Sequence, residues 1–211
     1  MTAIRRITDA TAEPITFSEF VSYTRITSAA GDDTIFNTLV SLVRQDAEKY
    51  CNRSFMYQCW GYYPDYWPSE DYFELPYATP LSSVASVIYT KSDATTATFS
   101  TDYYDVDTDS EPGRIVLEYE ESWPTEYELA SVRPIIITYY TGVATASSVP
   151  AGIRQAVMMQ TAELWQNREV MGTLIRGAPE MWENEAYTRS PFLRIRPFER
   201  LLEPFRIWYF G

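Results

Sequence analysis

Asp105, Asp107, Asp109 and Glu111 alternate through DVDTDSEPG, a spacing that resembles the opening of a calcium-binding loop. The match stops at Ser110, where such a loop needs glycine, and at Val116, where it needs a bidentate glutamate. The stretch is therefore read as a strand end that turns through Pro112-Gly113 into RIVLEY, and no metal is expected. A second carboxylate chemistry would pair Glu118, Glu120 or Glu121 across a cleft lined by Trp60, Trp67 and Trp123, as in glycoside hydrolysis. Tyr and Trp of the β zone could equally form a sugar-binding platform; packing in a core or an interface is the leading reading of them. The chain has no histidine, which removes the commonest general base, nucleophile partner and metal ligand together. Cys51 and Cys59 alone cannot build a structural zinc site, and eight scattered glycines form no phosphate-binding loop. No catalytic residue and no cofactor is expected.

What remains is a chain rich in groups that pack and dock. Of 211 residues 45% are apolar and 22% charged, which is ordinary, but 17 Tyr, 10 Phe and 6 Trp are not. The formal charge of −12 opposes tight contact with nucleic-acid phosphates. Residues 60–130 hold fifteen acids against Lys91 and Arg114, a balance of −13. Residues 186–211 reverse the sign, with Arg189, Arg194, Arg196, Arg200 and Arg206 against Glu199 and Glu203. Opposite signs suit docking onto an acidic partner or a neighbouring copy. MTAIRRITDATAEP carries no apolar leader core, and IIITYY at 135–140 is strand-sized, so no membrane contact is expected. Both thiols should be free in a cytoplasm-like compartment, with a Cys51–Cys59 bridge as the alternative.

Three zones of different period must position these groups. In EPITFSEFVSYTRI, Thr16 and Glu19 form a capping box for a short helix. GDDTIFNTLVSLVRQDAEKYC reads as a helix capped by Asp32 or Asp33, with Ile35, Phe36, Leu39, Val43, Ala47 and Tyr50 on one stripe. From 55 to 142 the period falls to two, and six strands are expected in FMYQCWGYY, DYFELP, VASVIYT, DYYDVD, GRIVLEYE and RPIIITYYTG. Helix returns at 150–171, with Ser147 or Ser148 as cap and Ile153, Val157, Leu164 and Trp165 on one face. Gly172 is its expected stop. PFERLLEP adds two turns between Pro197 and Pro204. Helices with single apolar faces need one another. The expected fold class is therefore α+β: a small helical bundle (1–54 and 143–203) interrupted by an antiparallel β-rich insertion (55–142), with an extended tail at 204–211.

The order of EPITFSEFVSYTRI, DDTIFNTLVSLVRQDAEKYCNRSF, LPYATPLSSVASVIY, YDVDTDSEPGRIVLE and VPAGIRQAVMMQTAELWQNRE resembles the tailed-bacteriophage head–tail connector family, also called adaptor or head-completion proteins. The resemblance covers about 15–170 and stops after Arg168. It implies a structural virion protein without catalysis, at the portal vertex or neck, assembled in the host cytoplasm. Such copies form a ring of about twelve beneath the portal protein. The ring extends the DNA channel, lets DNA pass through its lumen without specific binding, and presents a surface to a neck or tail completion protein. The competing expectations are a carbohydrate-binding β module of a virion or cell-surface protein and a carboxylate hydrolase.

The tail lies outside the resemblance and is read from physics. FRIWYF places Phe205, Ile207 and Tyr209 on one side of a strand and Arg206, Trp208 and Phe210 on the other. Large groups on both faces suit a segment enclosed by a partner. Insertion into the portal is expected, with Trp208 and Tyr209 as anchors and Arg206 meeting a carboxylate. The alternative is a tail folded back on its own helices.

Overall fold

The computed structural model describes residues 3–175 and 196–208. They hold four α-helices and two antiparallel sheets, an α+β architecture in which helices flank a β-rich insertion. Two compact units result. The described residues of 13–51 and 149–206 form a helical unit, and those of 1–12, 52–148 and 207–211 a β unit.

In the helical unit, α1 (Phe17–Thr24) starts as its capping box dictates. Thr16 Oγ1 accepts the Glu19 amide at 3.2 Å, and Glu19 Oε2 accepts the Thr16 amide at 2.8 Å. α2 (Asp32–Cys51) buries Phe36, Val40, Val43, Ala47 and Cys51. The expected stripe is thus turned: Ile35 is 43% exposed, while Leu39 and Tyr50 are half-buried. Phe36 decides the face, because its ring meets Phe20 at 5.0 Å and Phe17 at 5.5 Å. Asp32 does not cap; it reaches back to accept the Ala29 amide at 2.7 Å.

α3 (Ala151–Ile175) buries Ile153, Val157 and Trp165 as periodicity predicts, with Leu164 half-buried. Trp165 meets Phe20 edge-on at 5.2 Å. The helix runs past Gly172, because an interior glycine costs only about 1 kcal/mol relative to alanine. α4 (Arg196–Leu202) lies against α2 and α3 and buries Phe198 and Leu202 completely. Most of the connector before it, 176–195, lies outside the described residues.

The β unit contains a five-stranded sheet and a three-stranded one. The first sheet uses β1 (Ala3–Thr8), β2 (Gln58–Tyr63), β4 (Leu81–Thr90), β5 (Thr96–Phe99) and β8 (Ile135–Thr141), in the order β1-β2-β8-β4-β5. The second uses β3 (Tyr72–Glu74), β6 (Tyr104–Asp107) and β7 (Arg114–Leu117), in the order β3-β7-β6. The six expected strands are all present, and β1 and β5 are additions. The expected division counted 1–12 with the helices, whereas the pairing of Ala3 with Tyr63 and Arg5 with Gly61 attaches Ala3–Thr8 to the sheet. Central β8 alternates fully buried Ile135, Ile137 and Tyr139 with half-buried neighbours, the period-two pattern of a strand with unequal faces. Gly142 follows at φ +82°, where a Cβ would collide with the Met56 carbonyl.

Between the sheets lies an aromatic core. Trp67 stacks on Trp123 at 5.2 Å and 11°, with Phe73, Phe99, Tyr89 and Tyr104 around the pair. Cys51 and Cys59 are both buried and unbridged. Among the described residues no helix is long and apolar enough to cross a membrane.

Candidate functional site

Of the carboxylates singled out by spacing, Asp107 and Glu111 are engaged in structure. Asp107, at the end of β6, closes a turn. Its Oδ1 accepts the Asp109 and Ser110 amides at 3.2 and 3.1 Å, and its Oδ2 accepts the Ser110 hydroxyl at 2.5 Å and Arg114 Nε at 2.9 Å. These donors, led by the Ser110 hydroxyl and Arg114, pull its pKa down to about 2. Glu111 pairs with Arg53 at 3.5 Å, and Asp105 and Asp109 are exposed. Among the described residues no group of three acidic or cysteine side chains could hold a metal ion.

Glu118, Glu120 and Glu121 sit exposed where the chain leaves β7. Trp60 stacks on Tyr77 at 4.7 Å and Trp123 donates its Nε1 proton to the Glu70 carbonyl at 2.9 Å, both rings being buried. Trp60 and Trp123 are thus used in core packing, the leading reading of them, while Trp67 is half-buried. Sequence composition could not separate core packing from a sugar platform, since both need large rings.

Two surfaces remain. The first is the C-terminal segment. In the helical unit α4 gives way at Leu202 to a short turn over Glu203–Phe205, with Pro204 in its first positions. Glu203 accepts the Tyr50 hydroxyl at 2.5 Å, and this bond pushes the phenol pKa up. Arg206 lies over the Tyr50 ring at 4.9 Å. Phe205 packs on the notch left by Gly152, where a Cβ would stand 3.1 Å from its ring. In the β unit the Ile207 carbonyl accepts Asn52 Nδ2 at 3.0 Å. Phe205, Arg206 and Ile207 thus each contact their own chain, with Arg206 in an extended backbone conformation. Trp208 is 56% exposed. Tyr209 and Phe210 lie outside the described residues. The signal that could have found the seating is Gly152, a glycine in an otherwise strong helical stretch.

The second surface, missed by sequence reading, is an open cleft of about 1100 Å³ in the β unit. Asp65, Tyr66 and Trp67, from the β2–β3 connection, face Tyr127, Glu128 and Val132, from the β7–β8 connection.

No family model matches the chain, and no curated protein matches it. Solved structures do. The fold is similar to a chain in the neck of an empty GTA particle computed with C6 symmetry, at TM-score 0.67 and 16% identity, covering 99% of this chain and 98% of that one. It is similar to a chain in the neck of a native GTA particle computed with C12 symmetry, at TM-score 0.68 and 16% identity, with the same coverage of 99% and 98%. A chain in the virion of a native gene transfer agent particle matches at TM-score 0.69 and 15% identity, over 99% and 97%. At this identity the likeness is one of fold, end to end.

Proposed function

We propose that the chain is a structural protein of the neck of a phage-like particle, a ring-forming head–tail connector. It docks under the portal, extends the DNA channel and offers an attachment surface to a neck or tail completion protein. The observation that supports this best is the likeness over 99% of the chain to components of necks with C6 and C12 symmetry. A closed ring needs two different patches per subunit. The acidic β unit and the arginine-bearing C-terminal end offer patches of opposite sign. A ring of about twelve copies with an acidic lumen wall would let duplex DNA slide past without holding it. The site of action is the virion's portal vertex, after assembly in the host cytoplasm.

Within the tail, Phe205, Arg206, Ile207, Trp208, Tyr209 and Phe210 dock on the portal, with Trp208 and Tyr209 as anchors and Arg206 meeting a carboxylate. Deleting 208–211 tests this: portal binding should fall while the melting temperature of the free protein stays at the parent value. Portal binding retained by the truncated protein rejects the docking role. Assembly should also weaken as ionic strength rises, since charge–charge attraction is screened beyond about 8–10 Å at physiological salt.

A further inference from the structure

We infer that the outer face of the five-stranded sheet of one copy docks on the outer face of the three-stranded sheet of the next, and that this is the ring contact made by the β units. The inference rests on the ring-forming reading above. Because the two sheets share the aromatic core between them, their outer faces lie on opposite sides of the β unit. The faces differ in charge. β2, β4, β5 and β8 contain no Asp, Glu, Lys or Arg, in a chain that is 22% charged. β1 brings two arginines, of which Arg6 turns inward over the Trp60 ring, 5.0 Å from its centroid. Arg5, in the row Arg5–Gly61–Thr138–Ser86, is exposed on the outer face and has no ion pair among the described residues. The groups around it are apolar or bear hydroxyls. Ile7, whose Cδ1 lies over Gly61, is 49% exposed, and Tyr57, 43% exposed, stacks on Tyr140 at 5.4 Å.

The three-stranded sheet carries the opposite sign. Register puts Tyr72, Val116 and Asp105 in one row and Glu74, Arg114 and Asp107 in the next, all on the face away from the core. Arg114 pairs with Asp107 at 2.9 Å, while Glu74 and Asp105 stand exposed with no ion pair among the described residues. Tyr72 and the half-buried Val116 supply apolar area beside them. Charge depletion with tyrosine at the surface is what marks the centre of an interface. A lone cation on one face and two unpaired carboxylates on the other then decide which face meets which. Two different patches on opposite sides of one subunit are what head-to-tail closure of a ring requires.

The test is made on rings assembled with the portal. In Arg5→Lys, which keeps the charge, a carbodiimide should couple the new amine at position 5 to the carboxylate of Glu74 or Asp105. Mixed isotope-labelled and unlabelled protein should show the two joined peptides to come from different copies. Arg5→Glu should lower the ring yield about tenfold, Glu74→Lys with Asp105→Lys should do the same, and the three changes together should bring it back. All three positions are exposed, so each free variant should melt with the parent; where one does not, the coupling in Arg5→Lys decides alone. Rings of parent mass from both Arg5→Glu and the paired lysine variant overturn this contact and leave the ring reading standing. So does coupling from position 5 to the portal or within its own chain. A parent chain that forms no ring with the portal overturns the two together.

Discussion

In the helical unit a guanidinium sits at the centre of the packing, whereas at the centre of the β unit rings stack on rings. Arg44 is fully buried, its Nε 2.8 Å from Glu13 Oε2, its Nη1 3.0 Å from Glu48 Oε2 and its Nη2 3.5 Å from Ser41 Oγ. The β unit buries Trp123 against Phe73, Phe99 and the half-buried Trp67, and the buried polar side chains of its described residues, such as Ser54, Gln58 and Thr141, are uncharged. The two units meet the same need, a single packing arrangement, by different means. Directional bonds from Arg44 tie the segment before α1 to two successive turns of α2, which fixes where that segment lies. Interlocking rings fix the sheets by shape, and none of the acids of the −13 stretch is fully buried.

The largest effect should come from breaking the buried charge. Arg44→Ala leaves Glu13 and Glu48 without their cation and should cost about 4 kcal/mol in urea unfolding. Replacing the set by Arg44→Met, Glu13→Leu and Glu48→Leu should recover most of that loss, because the desolvation of all three charges disappears with them. If the triple variant is as unstable as the single one, the charges do more than offset their own burial. In the β unit Trp123→Ala should cost about 3 kcal/mol by opening a cavity against Trp67, Phe73 and Phe99. No polar companion mutation should rescue it, and only a large apolar replacement such as Trp123→Phe should come close.

The local devices should show smaller effects. Thr16→Ala removes the cap of α1 and should lower stability by about 1 kcal/mol, read by thermal melting. Glu19 also pairs with Arg154, whose Nε donates to the Pro14 carbonyl at 3.0 Å, so the cap ties α1 to α3 within the helical unit. The smallest effect belongs to Asp107, whose pKa is lowered from 3.8 to about 2. A carboxylate held below its ordinary value adds stability above that value and loses it as pH falls through the lowered one. Asp107→Asn should therefore melt lower than the parent at pH 6, and the gap should close between pH 4 and pH 2. A gap unchanged across that window would mean that Asp107 acts through its amide-accepting geometry alone.

What was legible in the sequence follows from how far apart the partners lie. Thr16 and Glu19 are three residues apart, and their box is present as spaced. The six interior strands and the α3 face follow local period. β1 was hidden because AIRRIT sets two arginines in a short run and its partner Gln58–Tyr63 lies beyond two helices. The α2 face was misjudged because Ile35, Leu39 and Leu42 make a second apolar stripe. Only the positions of Phe17 and Phe20 tell which one turns inward. Arg44 and Glu48 are only four residues apart, but Glu13, the other carboxylate on Arg44, lies 31 residues away. The cleft has walls from two distant connections, so no local pattern could announce it.

Ring formation tests the account most directly. Purified chain mixed with portal from the same particle should give, in mass measurement and negative-stain imaging, a closed ring of about twelve copies stacked on the portal. Formation should be suppressed at high salt and lost when residues 208–211 are removed. A chain that stays monomeric beside an intact portal at concentrations well above those of assembly would contradict it.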